Sequence, residues 1–277
     1  MPEHDVQLAQ LVALLRGRRF ATLTGAGIST DSGIPDYRGP KTRNQPRNPI
    51  QHREFAQSPA TRRRYWARAT RGWPRFAAAV PNAGHRALRQ LQDLGVVTGL
   101  ITQNVDGLHH AAGSTALELH GSLHEVSCLA CGAEEARASV HARMVERNPS
   151  FEAHVLGVAP DGDVDLGAEA VQGFDVAPCL RCGGPLKPSV VFFGGAVPRV
   201  TVGAAYAIVD AADALLVVGS SLTVFSGYRF VRRAEARGIP VAIVNLGVTR
   251  GDPHADLRID ASAGAVLAGL VAGLEAG

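Results

Sequence analysis

Phe20-Ala21-Thr22-Leu23-Thr24-Gly25-Ala26-Gly27-Ile28-Ser29 is a short apolar run that passes directly into a glycine turn. A buried strand, a Gly-x-Gly turn and the start of a helix form the place where a dinucleotide pyrophosphate meets backbone N–H groups. The flanking sequence supports that assignment. Val6, Leu8, Leu11, Val12, Leu14 and Leu15 recur at helical spacing and stop at Gly17, a C′ glycine. Downstream, Asn82 caps a helix carrying Leu88, Leu91 and Leu94 to Gly95, and Val97 to Thr102 makes the next strand. Ala214 to Val218 is another strand, ending in Gly219-Ser220-Ser221. A helix from Ser226 closes at Gly238-Ile239-Pro240, before the strand Val241 to Val244 and its terminal Asn245. Helices alternating with apolar strands that lack a period of two predict an α/β fold, a Rossmann-like parallel sheet with helices on both faces.

In open parallel sheets, ligands lie beyond the carboxyl ends of the strands. Four predicted ends carry polar or glycine-rich turns: Gly25-Ala26-Gly27, Gln103-Asn104-Val105-Asp106, Gly219-Ser220-Ser221 and Asn245-Leu246-Gly247. Their coincidence at one crevice predicts a nucleotide site. Hydride transfer fits less well. Thr30 stands where the dinucleotide fingerprint has its third glycine, and no acidic residue closes a clean second strand about 20 residues on. The chain continues as Asp31-Ser32-Gly33-Ile34-Pro35-Asp36-Tyr37-Arg38-Gly39, too polar and breaker-rich for the usual helix and suited to a loop over a cofactor.

All four cysteines fall in two pairs, Cys128-Leu129-Ala130-Cys131 and Cys179-Leu180-Arg181-Cys182, separated by 47 residues. A small folded module must bring two such knuckles together. One Cys-x-x-Cys near a βαβ pattern would suit a redox dithiol; two pairs favour a single structural zinc ion, because four thiolates leave no position for a catalytic water. Gly132, Gly183 and Gly184 follow the knuckles, where backbone N–H groups are expected to turn toward sulfur.

At 277 residues with 46% hydrophobic content and 31 glycines, the chain suits one large α/β domain with a smaller insert. The expected division is a Rossmann-like domain in three parts (1–40, 82–125 and 187–277), a helical insert and cofactor loop at 41–81, and a four-cysteine zinc module at 126–186. The insert shows weak periodicity apart from Tyr65-Trp66 and a helix expected around them. The net charge of +3 conceals an asymmetry: from Arg38 to Arg75, eleven Arg or Lys face one acid, Glu54, with Trp66 and Trp73 in the same stretch. Basic residues interleaved with aromatics can face nucleic acid. An excess confined to one segment suits an anionic cofactor, an acidic substrate or a solvated face equally, so nucleic acid is the minor alternative. No run of eighteen apolar residues exists, and Met1-Pro2-Glu3-His4-Asp5 is unlike a signal peptide; a cytoplasmic location with no membrane partner is expected.

Gly25-Ala26-Gly27-Ile28-Ser29, Gly33-Ile34-Pro35-Asp36-Tyr37-Arg38, Thr102-Gln103-Asn104-Val105-Asp106, His120-Gly121, the four cysteines, Gly219-Ser220-Ser221 and Asn245-Leu246-Gly247 together resemble the sirtuins, NAD-dependent protein-lysine deacylases. Arg64-Tyr65-Trp66-Ala67-Arg68 and Ala159-Pro160-Asp161-Gly162-Asp163-Val164 look most like the class II branch, which includes sirtuin-4-type proteins and bacterial relatives. The resemblance implies transfer of an acyl group from lysine to the ADP-ribose part of NAD, with release of nicotinamide. It also implies roles. His120, directly before Gly121, matches the general base, a task that suits histidine near neutral pH. His109 and His110 are its local competitors and are expected to be structural. Asn104 and Asp106 match the residues at the nicotinamide ribose and carboxamide, with Gln103 and Val105 beside them. Gly25, Ala26, Gly27, Ile28, Ser29, Asp36, Tyr37 and Arg38 match one side of the NAD site. Gly219, Ser220, Ser221, Asn245, Leu246 and Gly247 match the adenosine side, and Ala263 a backbone contact to adenine.

Val191-Phe192-Phe193-Gly194 matches the edge that takes an acyl-lysine protein or peptide as an added strand; a buried strand is its plainer explanation. Tyr65 and Arg68 match a pair that receives acidic acyl groups in some sirtuins, while a packed Tyr65 with a solvated Arg68 explains the spacing as well. Two alternatives to deacylation stand at this point: protein mono-ADP-ribosyl transfer, and a non-catalytic ADP-ribose-binding module. The segment 154–177, with Asp161, Asp163 and Asp165, contacts the active site or merely extends the zinc module.

Overall fold

The computed structural model describes residues 3–39, 42, 49–152, 157–158, 164–166 and 171–276. Its strands are β1 (Phe20–Thr24), β2 (Val97–Thr102), β3 (Ala116–Glu118), β4 (Gly121–Cys128), β5 (Glu134–Ala136), β6 (Gly157–Val158), β7 (Val164–Asp165), β8 (Leu186–Val190), β9 (Ala214–Val218), β10 (Val241–Val244) and β11 (Leu257–Ile259). Six of them form one sheet in the order β11-β10-β9-β1-β2-β3, and every pairing is parallel. The chain order therefore reverses between β1 and β9. In a doubly wound sheet that reversal is the topological switch point.

β1 is buried at every residue because both its faces are covered. Phe20 enters a cluster with Leu11 and Leu15 of helix Glu3–Leu15, Leu88 and Leu91 of helix Ala83–Asp93, and Leu267 and Leu270 of helix Ala263–Glu275. Ala21 and Leu23 enter the opposite cluster, with Val209 of helix Arg199–Asp210 and Phe230 and Val231 of helix Phe225–Arg237. Two apolar faces leave no polar alternation to read, which is why the strands lack a period of two. Asn82 caps helix Ala83–Asp93 as expected: its side chain accepts from Gly84 and His85 N–H, while His85 Nδ1 accepts from Asn82 N–H. Leu94 departs from expectation. It follows the helix and is 41% exposed, since Gly95 (φ 72°) already turns the chain toward β2.

The remaining strands build a second layer. β4 pairs antiparallel with β5 and β8, and β6 with β7. Helix Pro59–Ala77 shares a core with them through Phe55, Tyr65, Trp66, Val126, Val140, Met144 and Leu186, and Trp66 Nε1 donates to Leu186 O at 3.0 Å. The helix expected around Tyr65-Trp66 is present and runs over 19 residues, further than its weak flanking periodicity suggested. Tyr65, Trp66, Ala69, Thr70, Trp73 and Phe76 form a full buried stripe, but alanine and threonine carry part of it and arginines crowd the rest, so an aliphatic count understates it. Ser58 accepts from Thr61 N–H and Pro59 occupies the first turn, which fixes where the helix begins. Among the described residues no helix is long and apolar enough to cross a membrane.

Candidate active site

β1 and β9 end side by side, and hydrogen bonds continue past the strands. Gly25 N–H donates to Val218 O (3.1 Å), Gly27 N–H to Gly219 O (2.8 Å) and Gly219 N–H to Val244 O (2.9 Å). This approach needs glycine. A Cβ on Gly27 would lie 2.9 Å from Gly219 Cα, and one on Gly219, whose φ is 62°, would overlap the Ile28 nitrogen. Leu222, in the same turn, holds φ 55° without being glycine, while its N–H donates to Ser220 Oγ at 3.2 Å. Strained backbone of this kind collects at ligand sites. After Gly27 no α-helix forms. Two short 3₁₀ turns, Ala26–Ile28 and Thr30–Ser32, lead to Gly33 (φ 84°) and an irregular run to Gly39.

These turns open on a cavity of about 1180 Å³, which the second layer roofs. From the sheet side, Gly25, Ala26, Gly27, Ser29, Gln103, Asn104, Val105, Asp106, Gly219, Ser220, Ser221, Asn245, Leu246 and Ala263 line it. Asp36, Tyr37 and Arg38 line it from the irregular run; His120, Tyr65, Val191, Phe192, Phe193 and Gly194 line it from the junction with the second layer. Three expected residues stand elsewhere. Ile28 is 2% exposed and packs into the core beneath the sheet, as its place on the inner side of a 3₁₀ turn requires. Gly247 turns the chain behind Asn245, with its N–H on Asp260 Oδ1 and its carbonyl taken by Asn245 Nδ2. Arg68 does not line the cavity; its Nε donates to Val164 O of β7 at 2.6 Å.

His120 sits between β3 and β4 at the junction. Its Nδ1 lies 2.8 Å from Gln103 O and its Nε2 2.9 Å from Ser226 Oγ. A carbonyl only accepts, so Nδ1 carries the hydrogen, and the neutral ring keeps its lone pair at Nε2. Burial holds the ring below its ordinary pKa of 6.5; the Gln103 carbonyl opposes that, and Arg229 adds to it. Neutral imidazole is therefore the form present at neutral pH. Gly121 beside it has φ 77°, and a Cβ there would overlap Ser189 O, so only glycine lets β4 meet β8 at this point.

Asn104 is 8% exposed, and its Nδ2 donates to Gly25 O and Ser29 Oγ, both at 3.1 Å. Asp106, equally buried, accepts from Ser29 Oγ (2.7 Å) and Leu108 N–H (3.0 Å). Gln103 Nε2 donates to Ser220 Oγ (2.7 Å) and Thr24 O (3.2 Å), so the ends of β2 and β9 are cross-linked over β1. His109 is buried on the short helix Leu108–Ala111 behind this wall, its Nε2 2.9 Å from Thr24 Oγ1, while His110 is exposed. Both lie away from the cavity lining, as a structural role requires.

Val191 to Gly194 is not a buried strand: Val191 to Phe193 are half-buried, Gly194 is exposed, and no regular strand forms there. β8 ends at Val190; Phe193 makes a single parallel bridge with Gln51 and its carbonyl accepts from His52 N–H. Gly194, at φ 75°, breaks the extended path, and Gly195 N–H folds back to Phe192 O. Val191 N–H donates to His120 O at 2.8 Å, so this edge is tied by one backbone bond to the histidine. Tyr65 is 3% exposed and packs edge-on to Phe55, Trp66 and Phe192. The sequence reasoning missed Ser226 and Arg229, both lining the cavity. Their only signal was a helix start after Gly219-Ser220-Ser221.

The four cysteine sulfurs all lie within 4.8 Å of one another. Cys128 and Cys182 are 3.5 Å apart and Cys131 and Cys179 3.8 Å, well beyond the roughly 2 Å of a disulfide and close to the edge of a tetrahedron with Zn–S bonds of about 2.3 Å. Ala130, Arg181 and Gly184 N–H groups each approach a sulfur at 3.4 Å. Of the three glycines expected to do this, Gly184 does; Gly132 and Gly183 instead donate to the carbonyls of Cys128 and Cys179, closing each knuckle. The donor set fits a zinc ion. Asp161 and Asp163 lie outside the described residues.

A family model described as "Sir2 family" matches residues 25–226. The chain is 54% identical over 265 residues to NAD-dependent protein deacetylase 1 of Mycobacterium avium (strain 104), covering 94% of this chain and 93% of that protein. It is 47% identical over 270 residues to the human mitochondrial NAD-dependent protein lipoamidase sirtuin-4, covering 96% of this chain and 85% of that one. Among solved structures, a complex described as "Sir2-p53 peptide-NAD+" aligns with a TM-score of 0.76 at 29% identity, over 98% of this chain and 99% of that one.

Proposed function

From the premise that this chain belongs to the Sir2 family, the sirtuins, we propose that it removes acyl groups, acetyl among them, from lysine side chains of proteins at the expense of NAD. The observation that carries this is His120. It has one defined tautomer, and it lines the same cavity as all four strand-end turns. When bound, NAD supplies the activated ribose carbon and the hydroxyls that receive the acyl group, with nicotinamide as the leaving group.

The chain's own residues supply the rest. His120 takes a proton from a ribose hydroxyl at Nε2. Asn104 commits both amide hydrogens to Gly25 and Ser29, which leaves its Oδ1 as an acceptor for a ribose hydroxyl. Asp106 keeps spare acceptor capacity for a carboxamide N–H, and its burial among Ser29 and Leu108 N–H fixes its direction. The cross-linked strand ends hold the dinucleotide, with Arg38 available to a phosphate through its planar fork. Val191 to Gly194 receives the peptide beside His120, and Tyr65 and Phe192 shield the acyl-lysine from water. In the division 1–40, 41–81, 82–125, 126–186 and 187–277, the separate cores of the sheet support setting its three parts apart from the rest, while 41–81 and 126–186 share one core.

Incubation with NAD and a panel of acyl-lysine peptides, read by mass spectrometry, tests this. Peptide-dependent nicotinamide release with matching O-acyl-ADP-ribose is expected. ADP-ribose left on protein would replace deacylation by ADP-ribosyl transfer, and neither product would leave a binding module. An Arg68→Ala variant that leaves the ratio of glutaryl- to acetyl-peptide turnover unchanged removes Arg68 from acyl selection, in keeping with its bond to Val164.

A further inference from the structure

Ser226 is the second residue of helix Phe225–Arg237, whose first turn has no side-chain cap. Its hydroxyl has been drawn to His120 Nε2, at 2.9 Å. Because Nδ1–H is committed to Gln103 O, the neutral ring can only accept at Nε2, so Ser226 must donate. The hydroxyl thus occupies the lone pair that has to receive a proton in acyl transfer. Resting on the assignment of His120 as base, we infer that Ser226 is a positioning residue: it holds His120 in its neutral, Nε2-accepting form until a ribose hydroxyl replaces it.

Two observations make this more than proximity. First, the helix that carries Ser226 is anchored to the sheet through Phe230 and Val231, so the hydroxyl is delivered from a rigid element. Second, the other groups around the ring cannot perform the same task. Gln103 holds the opposite nitrogen, and Arg229, one turn along the same helix, makes no hydrogen bond to the ring among the described residues and acts on it only through its charge. Of the other charged groups lining the cavity, Asp31, Asp36, Arg38, Arg75, Asp106 and Arg199, none is bonded to the ring among the described residues. The Ser226 hydroxyl is the partner that rotates away about a single χ1 bond when a better donor arrives.

A donor on the lone pair favours the unprotonated ring, so its removal must raise the pKa of His120. The test is a histidine ¹⁵N NMR titration of ligand-free protein, with the His120 signal assigned by its loss in His120→Gln. Ser226→Ala is expected to move the His120 titration upward by about half a unit or more. Ser226→Thr, which keeps the hydroxyl, should restore it. In the NAD-dependent reaction the acid limb of kcat/KM should move upward by the same amount. If the wild-type limb is present but neither it nor the NMR titration moves in Ser226→Ala, Ser226 is only packing and the inference fails while His120 stands as base. If no limb depends on His120 at all, the base assignment fails instead.

Discussion

His85 and His109 show how a residue's surroundings set its chemistry. Their rings lie 4.8 Å apart in the wall behind Asn104 and Asp106. Burial pushes His85 down to about 4, with Asp106 opposing and Arg86 assisting, and pushes His109 down to about 3, assisted by His85 and His110. Both fold as neutral rings. In the unfolded chain they bind protons below about 6.5, so the stability they permit is whole above that pH and falls as pH drops toward 4. Urea midpoints should therefore decline steeply between pH 6.5 and 4, at up to about 1.4 kcal/mol per unit for each ring, and His109→Gln should flatten the slope. His120 acts differently because it faces the cavity. His120→Gln should lower kcat/KM about 10²- to 10⁴-fold with the urea midpoint little changed. The sequence pointed to His120 through Gly121 and the family motif, but Ser226 is 106 residues away, and the helix start at it gave no sign of a contact with His120.

At the scale of elements, the strands β1, β9 and β10 were legible at nearly their observed limits because each is a short apolar run bounded by glycine, proline or asparagine. Helix Pro59–Ala77 was legible only around Tyr65-Trp66, since the rest of its inner face is read only once its partner is known. Arg137, 3% exposed at the start of helix Arg137–Arg147, inserts its guanidinium between Trp66 (4.8 Å) and Trp73 (5.0 Å). Its Nε and Nη1 have no hydrogen-bond partner among the described residues, so the two ring faces hold the charge. Arg137→Ala should cost about 2 kcal/mol or more, whereas Arg137→Met, which fills the space without a buried charge, should stay within about 1 kcal/mol of the parent in urea unfolding. The joint between the layers is equally specific. Gly121→Ala adds strain of about 1–3 kcal/mol from φ alone and an overlap with Ser189 O, and should destabilise the protein and disturb His120 together.

Across the whole molecule, the cysteine cluster stands apart from the reacting groups yet shares a core with them. Cys128 and Cys179 pack with Tyr65 and Trp66, and Phe192 rests on that core while lining the cavity. Chelation that removes one zinc per chain, verified by elemental analysis, should abolish deacylation and broaden the signals of this core. Full activity in verified metal-free protein would show that the second layer stands without the ion. On the proposed function, the strand ends of the sheet would hold the dinucleotide and the second layer, with its cysteine cluster, would cover it.

By itself the sequence determined the parallel sheet, the four strand-end turns, the cysteine ligand set and the family, because each is carried by residues adjacent in the chain: an apolar run, a glycine, a Cys-x-x-Cys knuckle. Tertiary structure alone decided which of those residues face the cavity. Ile28 turns into the core while Ser29 ties Asn104 to Asp106, and Arg68 goes to Val164 while Tyr65 lines the cavity. Tertiary structure alone also brought Ser226 to His120. Contacts across 106 residues depend on how helices pack on a twisted sheet, and no local pattern in the chain encodes that geometry.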